Sequence, residues 1–344
     1  MKKQLLYLLL LCCMQQQLAV AQTAIEKDTI HSIFQKIVED KISHITILSD
    51  FDSLLRGRRI KDYPKIKATI IFENGTHQDT MLTKLLLRGR YRRKICDMPP
   101  IKLDFVKADL VEMGLDSTYD ELKLVTHCLD GVNSNQSLLK EYWTYRLYQE
   151  ITPNSFKVHL VKITYINKQQ PLESKERFAF LIENNQELSD RIGGEMVSKF
   201  GLTPTKLDEK SYHHTLFFNY MIGNLDCNIL HQRNIKYIQT KESLIVVPYD
   251  FDQSALVNAS YAKPHPDYKQ QNLEDRHAIG SFNNRTALEA MATEFIAKKN
   301  QLEIFNQCPY LAEDQKLRMQ YYIDSFFEEI EHKRQLRKAF LSSH

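Results

Sequence analysis

Apolar and polar positions fall into two patterns along the chain, and the change between them divides it. From Lys67 to Phe72 the residues are mostly β-branched or apolar, and Glu73-Asn74-Gly75-Thr76 carries the Asn-Gly signal of a hairpin turn. A return strand is expected through Met81–Leu87, running into Arg88-Gly89-Arg90. Further strands are read over Ile101–Phe105, which follows Pro99-Pro100, and over Glu121–Thr126. Residues 27–42 read as a short amphipathic helix ahead of this region. In Ser137–Tyr148, Leu138, Tyr142, Tyr145 and Leu147-Tyr148 recur at helical spacing. Strands over Val158–Tyr165 and Arg177–Ile182 complete a half that is mostly sheet with one prominent helix.

Beyond Asn184 the pattern becomes mainly helical. Ser211–Ile222 (SYHHTLFFNYMI) is apolar nearly all round and reads as a buried helix. Two short strands, Ile235–Ile238 and Leu244–Val247, flank the turn Thr240–Ser243. Long helices are expected over Thr286–Lys299 and Glu313–Leu341. The organisation expected is α+β, with a sheet-rich lobe over residues 22–184 and a helix-rich lobe over 185–344.

The first 21 residues stand apart from both. Lys2 and Lys3 precede an apolar run from Leu5 to Cys13, and Ala19-Val20-Ala21 ends in a small-x-small cleavage pattern. This reads as a secretory signal peptide; the apolar run is too short to span a bilayer. Export to the periplasm, the cell surface or the medium follows, with no transmembrane span in the mature chain. Losing Lys2 and Lys3 lowers the net charge from +3 to about +1, which implies no field for a polyanion. Without a basic stripe bearing interleaved aromatics, no nucleic-acid partner is expected. Four of the six cysteines remain, too few for a disulfide scaffold of this size, and no CxxC marks a zinc site. Cys96 and Cys128 both lie beside expected strands and are candidates for a bridge, a pairing the sequence leaves open.

Candidate chemistry lies on either side of the second hairpin. GNLDCNILHQRN (223–234) leaves the buried helix, and PYDFDQS (248–254) follows the hairpin. A short hairpin brings its two ends together, so Asp226, His231 and Asn234 are expected to face Asp250 and Asp252. Taken alone, Asp250 reads as a cap and Asp226 as an Asx-turn residue. Together they form an oxygen-rich group suited to a hard cation such as Mg²⁺. In phosphoryl transfer one Asp orients the acceptor hydroxyl, a second Asp and an amide hold metal, and a Lys from a sheet grips the phosphates. Asp226, Asp250, Asn234 or Asn228, and Lys102 are candidates for these parts. The basic run Arg88, Arg90, Arg92, Arg93, Lys94 offers other phosphate ligands, or else a charged edge strand.

These segments resemble the CotH kinase-like family of atypical secreted and spore-coat kinases, over about residues 80 to 300. The likeness rests on Arg88-Gly89-Arg90 feeding the Lys-containing strand Pro99–Phe105, on Leu122-Lys123-Leu124-Val125, and on the helix from Leu138. Gly223-Asn224-x-Asp226, a His/Asn pair and Pro248-Tyr249-Asp250-Phe251-Asp252 complete it. The chain resembles the secreted branch common in Bacteroidetes-type genomes. The resemblance implies a bilobal protein-kinase-like fold using ATP and Mg²⁺ to phosphorylate a protein acceptor. It implies Asp226 as the catalytic residue, Asp250 as the metal ligand with Asn234 and Asp252 beside it, and Lys102 or Arg90 at the nucleotide, with Glu141 as helix partner. Departures are the missing Gly-x-Gly-x-x-Gly, Cys227 directly after Asp226, and the two residues between His231 and Asn234. They keep a second reading open, an inactive kinase-shaped scaffold that binds a surface protein or glycan. A third is a metal-dependent phosphate-ester hydrolase, which shares the carboxylates but needs no nucleotide lysine.

Overall fold

The computed structural model describes residues 31–60, 65–131 and 133–341. The signal-peptide segment and the start of the first expected helix lie outside the described residues. Ten strands are described: β1 His44–Ser49, β2 Ile66–Glu73, β3 Gln78–Leu87, β4 Ile101–Phe105, β5 Glu121–Val125, β6 Val158–Asn167, β7 Gln170–Ile182, β8 Glu195–Val197, β9 Ile235–Gln239 and β10 Leu244–Pro248. The first seven close into a barrel in the order β1-β2-β3-β4-β5-β7-β6. All its pairings are antiparallel except the closing one, where β1 runs parallel to β6. β1 has no counterpart in the expected strands, although His44-Ile-Thr-Ile-Leu-Ser alternates cleanly between partly buried and buried positions. A sheet-rich first half was expected; its closure into a barrel was not.

Closure follows from that alternation. Ile45 and Ile47 of β1, Leu85 of β3, Leu103 of β4 and Ile163 of β6 are fully buried inside the barrel. Helix Ile33–Glu39 packs Ile33, Phe34 and Ile37 into the same core. Ser32 and Gln35 close a capping box at its start.

A second core gathers the helices. The long helix Ser134–Ile151, inserted between β5 and β6, is buried on nearly every face. Its residues pack with helix Glu209–Ile222, with β9 and β10, and with helices Arg285–Ala297, Glu313–Glu331 and Lys333–Phe340. The last two were read as one helix; His332 separates them. Val125, Val158, Phe180 and Ile182 at the barrel strands join this second core, which seats the helices against one side of the barrel. Strands β8, β9 and β10 form a separate antiparallel sheet. Cys96 and Cys128 are joined by a disulfide, while Cys227 and Cys308 are buried free thiols.

Helix Glu209–Ile222 ends at Gly223, whose φ of 62° is left-handed. A Cβ there would meet Ala255 Cβ at 2.8 Å and the Tyr322 hydroxyl more closely still. Gly223→Ala is therefore expected to lower stability by about 2–4 kcal/mol, the strain of a positive φ plus overpacking. Urea unfolding of the variant against the parent checks this.

Candidate functional site

Between the barrel and the second core lies a cavity of about 390 Å³. The barrel contributes Arg88, just beyond β3, and Lys123 of β5; the loops contribute Asp226 and Asp250.

Local structure delivers each acid. Beyond Gly223, Asn224 is wholly buried, and its amide donates to Asn219 Oδ1 at 2.8 Å. Asn224 Oδ1 accepts the Asp226 backbone N–H at 3.1 Å. The Asx-turn residue is thus Asn224, which leaves the Asp226 carboxylate to face the cavity. Asn234 Nδ2 donates to both the Asp226 backbone oxygen at 2.6 Å and its Oδ2 at 3.0 Å. Arg233 Nε stands 3.5 Å from Asp226 Oδ1. Burial raises the Asp226 pKa; Arg233 opposes the shift and Asp250 adds to it.

Asp250 leaves β10 with a φ of 65°, a left-handed conformation that Asp tolerates better than most residues. Its backbone N–H donates to the Tyr145 hydroxyl at 2.8 Å, and the Tyr249 N–H donates to Asn234 O at 3.0 Å. Phe251 is fully buried against Tyr145 and Phe218, at ring separations of 4.8 and 5.4 Å. That anchor turns Asp250 outward, its side chain 44% exposed, and Asp252 inward, 5% exposed.

The inward side of this segment is organised around Arg92. The run RGRYRRK does not form an edge strand. Residues Arg92–Ile95 make a single helical turn that points Arg92 inward. Arg92 pairs bidentately with Glu141 at 2.8 and 3.0 Å, and with Asp250 Oδ1 at 2.7 Å through Nη2 and Asp252 Oδ2 at 2.9 Å through Nε. Burial disfavours its charge, but Asp252 and Glu141 outweigh that and hold its pKa well above the usual value. Three carboxylates around one guanidinium leave negative charge in excess. Burial, with Asp250 and Asp252 adding to it, pushes Glu141 up to about 8; burial and Asp250 push Asp252 up to about 6.

The opposite charge collects on the barrel side. Lys123 Nζ sits 4.4 Å from the centre of the Phe156 ring and donates to Asn185 Oδ1. Burial lowers its pKa well below the usual value, and Arg88 and Lys236 push the same way. Burial likewise lowers Arg88 and Lys236. Arg88 and Lys123 line the cavity, and Lys236 Nζ lies 5.2 Å from the centre of the Tyr249 ring, which also lines it.

Each expected residue now has a place. Asp226, Asp250, Asp252 and Arg90 line the cavity. Asn234 braces Asp226 from behind. Glu141 has Arg92 as its partner, where a lysine was expected. Lys102 pairs across the ladder with Lys123, but its ammonium is engaged by Glu121 and it is not among the lining residues. His231 and Asn228 close a tight turn, with the His231 N–H donating to Asn228 Oδ1 at 3.0 Å, rather than joining the acids. Lys123 and Arg92 were both visible in quoted segments. Nothing local distinguished Lys123 from Lys102, or Arg92 from its basic neighbours.

One Oδ, Oε or equivalent donor atom from each of Glu141, Asp250 and Asp252 lies within 4.8 Å of the others, so the group has the spacing of a cation site. Arg92 fills its inner side. With Glu141 and Asp252 taken by Arg92, the half-exposed Asp250 is the donor that would hold Mg²⁺ from the cavity side, where phosphate oxygens and water would complete the shell.

No family model matches the sequence, and neither does any curated protein. Among solved structures, the chain is similar to the Helicobacter pylori proinflammatory kinase CtkA. Identity is 10% and the TM-score 0.42, covering 77% of this chain and 96% of that one. It is also similar to a chain of the Shewanella oneidensis MR-1 toxin–antitoxin complex of HipA, HipB and operator DNA. There identity is 12% and the TM-score 0.34, covering 86% and 72%. Scores this low carry no argument about activity. No helix among the described residues is long and apolar enough to cross a membrane.

Arg92→Met is expected to cost about 3–5 kcal/mol, because it leaves buried carboxylates uncompensated. The double variant Arg92→Met, Glu141→Gln should recover part of that loss. Chemical denaturation of the set as a double-mutant cycle measures the coupling.

Proposed function

We propose that the chain is an exported kinase-like phosphotransferase of the CotH kind, moving the terminal phosphoryl group of ATP to a hydroxyl of a protein acceptor. The observation that carries this reading is a single cavity lined by the basic Arg88 and Lys123 together with the acidic Asp226 and Asp250. Cations that face one cavity are stabilised by a polyanion, and a triphosphate supplies it.

Arg88 and Lys123 bind phosphate oxygens. Asp226, held by Asn234, orients the acceptor hydroxyl and takes its proton as the new O–P bond forms and the bond to the leaving diphosphate breaks. Its raised pKa suits a group that must accept a proton. Mg²⁺, when bound at Asp250, supplies charge neutralisation on the phosphates. Asp252 and Glu141 serve through Arg92, fixing where Asp250 stands. Catalysis of this kind is positioning and electrostatics more than covalent chemistry. The Cys96–Cys128 disulfide supports the exported part of the reading, since such bonds persist in oxidising compartments.

Arg92 also favours a second reading, a scaffold without turnover. Its guanidinium already neutralises part of the charge that a metal would.

Residues 22–344 are expected to gain about 2.7 kcal/mol of stability from ATP with Mg²⁺ at a hundredfold excess over Kd. Lys123→Met and Asp250→Ala should lose most of that gain. Asp226→Asn should keep it while losing phosphate transfer to a generic protein acceptor by at least about 100-fold. Thermal unfolding and a labelled-phosphate assay read these outcomes. A folded protein with no nucleotide-dependent shift overturns the proposal. A shift without transfer selects the scaffold, and phosphate release from simple esters without ATP selects a hydrolase.

A further inference from the structure

A second cavity, of about 190 Å³, opens at one end of the barrel. Its walls come from the helix after β1 (Phe51, Asp52), the segment before β4 (Asp97), the segment after β5 (His127), and Tyr165 of β6. Two of these residues carry buried polar atoms without a hydrogen-bond partner, His127 Nδ1 and the Tyr165 hydroxyl. Each residue is only 6% exposed. Leaving a buried polar atom without a partner is costly, so two at one cavity call for a ligand or for water.

The donor inventory says what kind. His127 Nε2 lies 3.2 Å from Asp130 Oδ1, so the ring proton sits on Nε2 and Nδ1 presents a bare lone pair. Burial lowers the His127 pKa, which favours the neutral ring, while Asp130 opposes that shift. Asp130 is already engaged by His127 and by Arg177 at 3.6 Å. Asp52 and Asp97 add two carboxylates at the exposed rim. Acceptors outnumber donors, and Phe51 and Tyr165, in edge contact at 5.5 Å, supply aromatic surface. A metal is the poorer occupant: among the described residues no three His, Cys, Asp or Glu donors converge here. The volume of about 190 Å³, half that of the larger cavity, suits a side-chain-like group better than a nucleotide.

We propose that this cavity is a binding site for a small alkyl cation, a guanidinium or primary ammonium. Its N–H groups donate to His127 Nδ1 and the Tyr165 hydroxyl, its charge faces Asp52 and Asp97, and its alkyl part rests on Phe51. The site is independent of the phosphotransferase reading. It does adjoin the larger cavity through the chain: Asp97 and His127 each neighbour one half of the Cys96–Cys128 bond, and Arg92 lies on the same short segment as Cys96.

Calorimetric titration of residues 22–344 with n-butylguanidinium and n-butylammonium tests it, with n-butylurea as the neutral control and a blocked Gly-Arg-Gly peptide as the alternative source of the same group. Saturable binding of a cation, with the urea at least about tenfold weaker, is expected. Comparable affinity for the peptide assigns an arginine side chain as the source. Tyr165→Phe should weaken binding about tenfold and leave the melting temperature of the free protein unchanged or higher, because the hydroxyl has no internal partner. Asp97→Asn, at the exposed rim, should weaken binding without touching the core. Equal binding of cation and urea, no saturable binding of any probe, or undiminished binding by both variants overturns the proposal.

Discussion

The candidate site depends on one guanidinium. Arg92 joins three parts of the chain that are far apart in sequence: the segment leaving β3, the central helix through Glu141, and the strand end at Asp250 and Asp252. A lysine could not replace it, since a point charge cannot satisfy a carboxylate bidentately and reach two more. Burying the group is expensive, and such an ion network is weak evidence for net stability. What it secures is position. Asp252 is drawn inward and Asp250 is left half-exposed beside the cavity, although the two residues are separated only by Phe251.

Charge in the cavity is therefore sorted by burial as well as by sign. Negative charge gathers where Arg92 meets its three carboxylates, and positive charge gathers where Arg88 and Lys123 line the cavity. Arg92 offsets part of the first, and Asp250 and Glu183 offset part of the second. A ligand carrying several phosphates with a divalent cation would relieve both together, and that complementarity supports the phosphotransferase reading independently of any likeness to other proteins.

Structure beyond the cavity serves the same geometry. The central helix belongs by packing to the second core, yet it is inserted between two barrel strands, so Glu141 and Tyr145 face the barrel side. The disulfide ties the segment after Arg92 to the end of β5, two residues beyond Thr126 and five beyond Lys123. The helical turn that carries the arginine and the strand that carries the lysine are thus joined covalently.

Periodicity was enough for most elements. The strands Ile101–Phe105 and Ile235–Gln239, the buried helix before Gly223, and the hairpin that brings Asp226 to Asp250 were all legible, because each is set by local alternation, helical spacing or turn chemistry. Barrel closure was not, since the pairing of β1 with β6 spans more than a hundred residues and leaves no local mark. The choice between Lys102 and Lys123 was equally hidden. The two are register partners on neighbouring strands, and only the surrounding Glu121, Phe156 and Asn185 engage one and turn the other to the cavity. Arg92 looked like its basic neighbours for the same reason. Residue type and spacing determined which chemistry the chain could carry; which copy of each residue carries it was decided by burial and by partners that meet only when the fold closes.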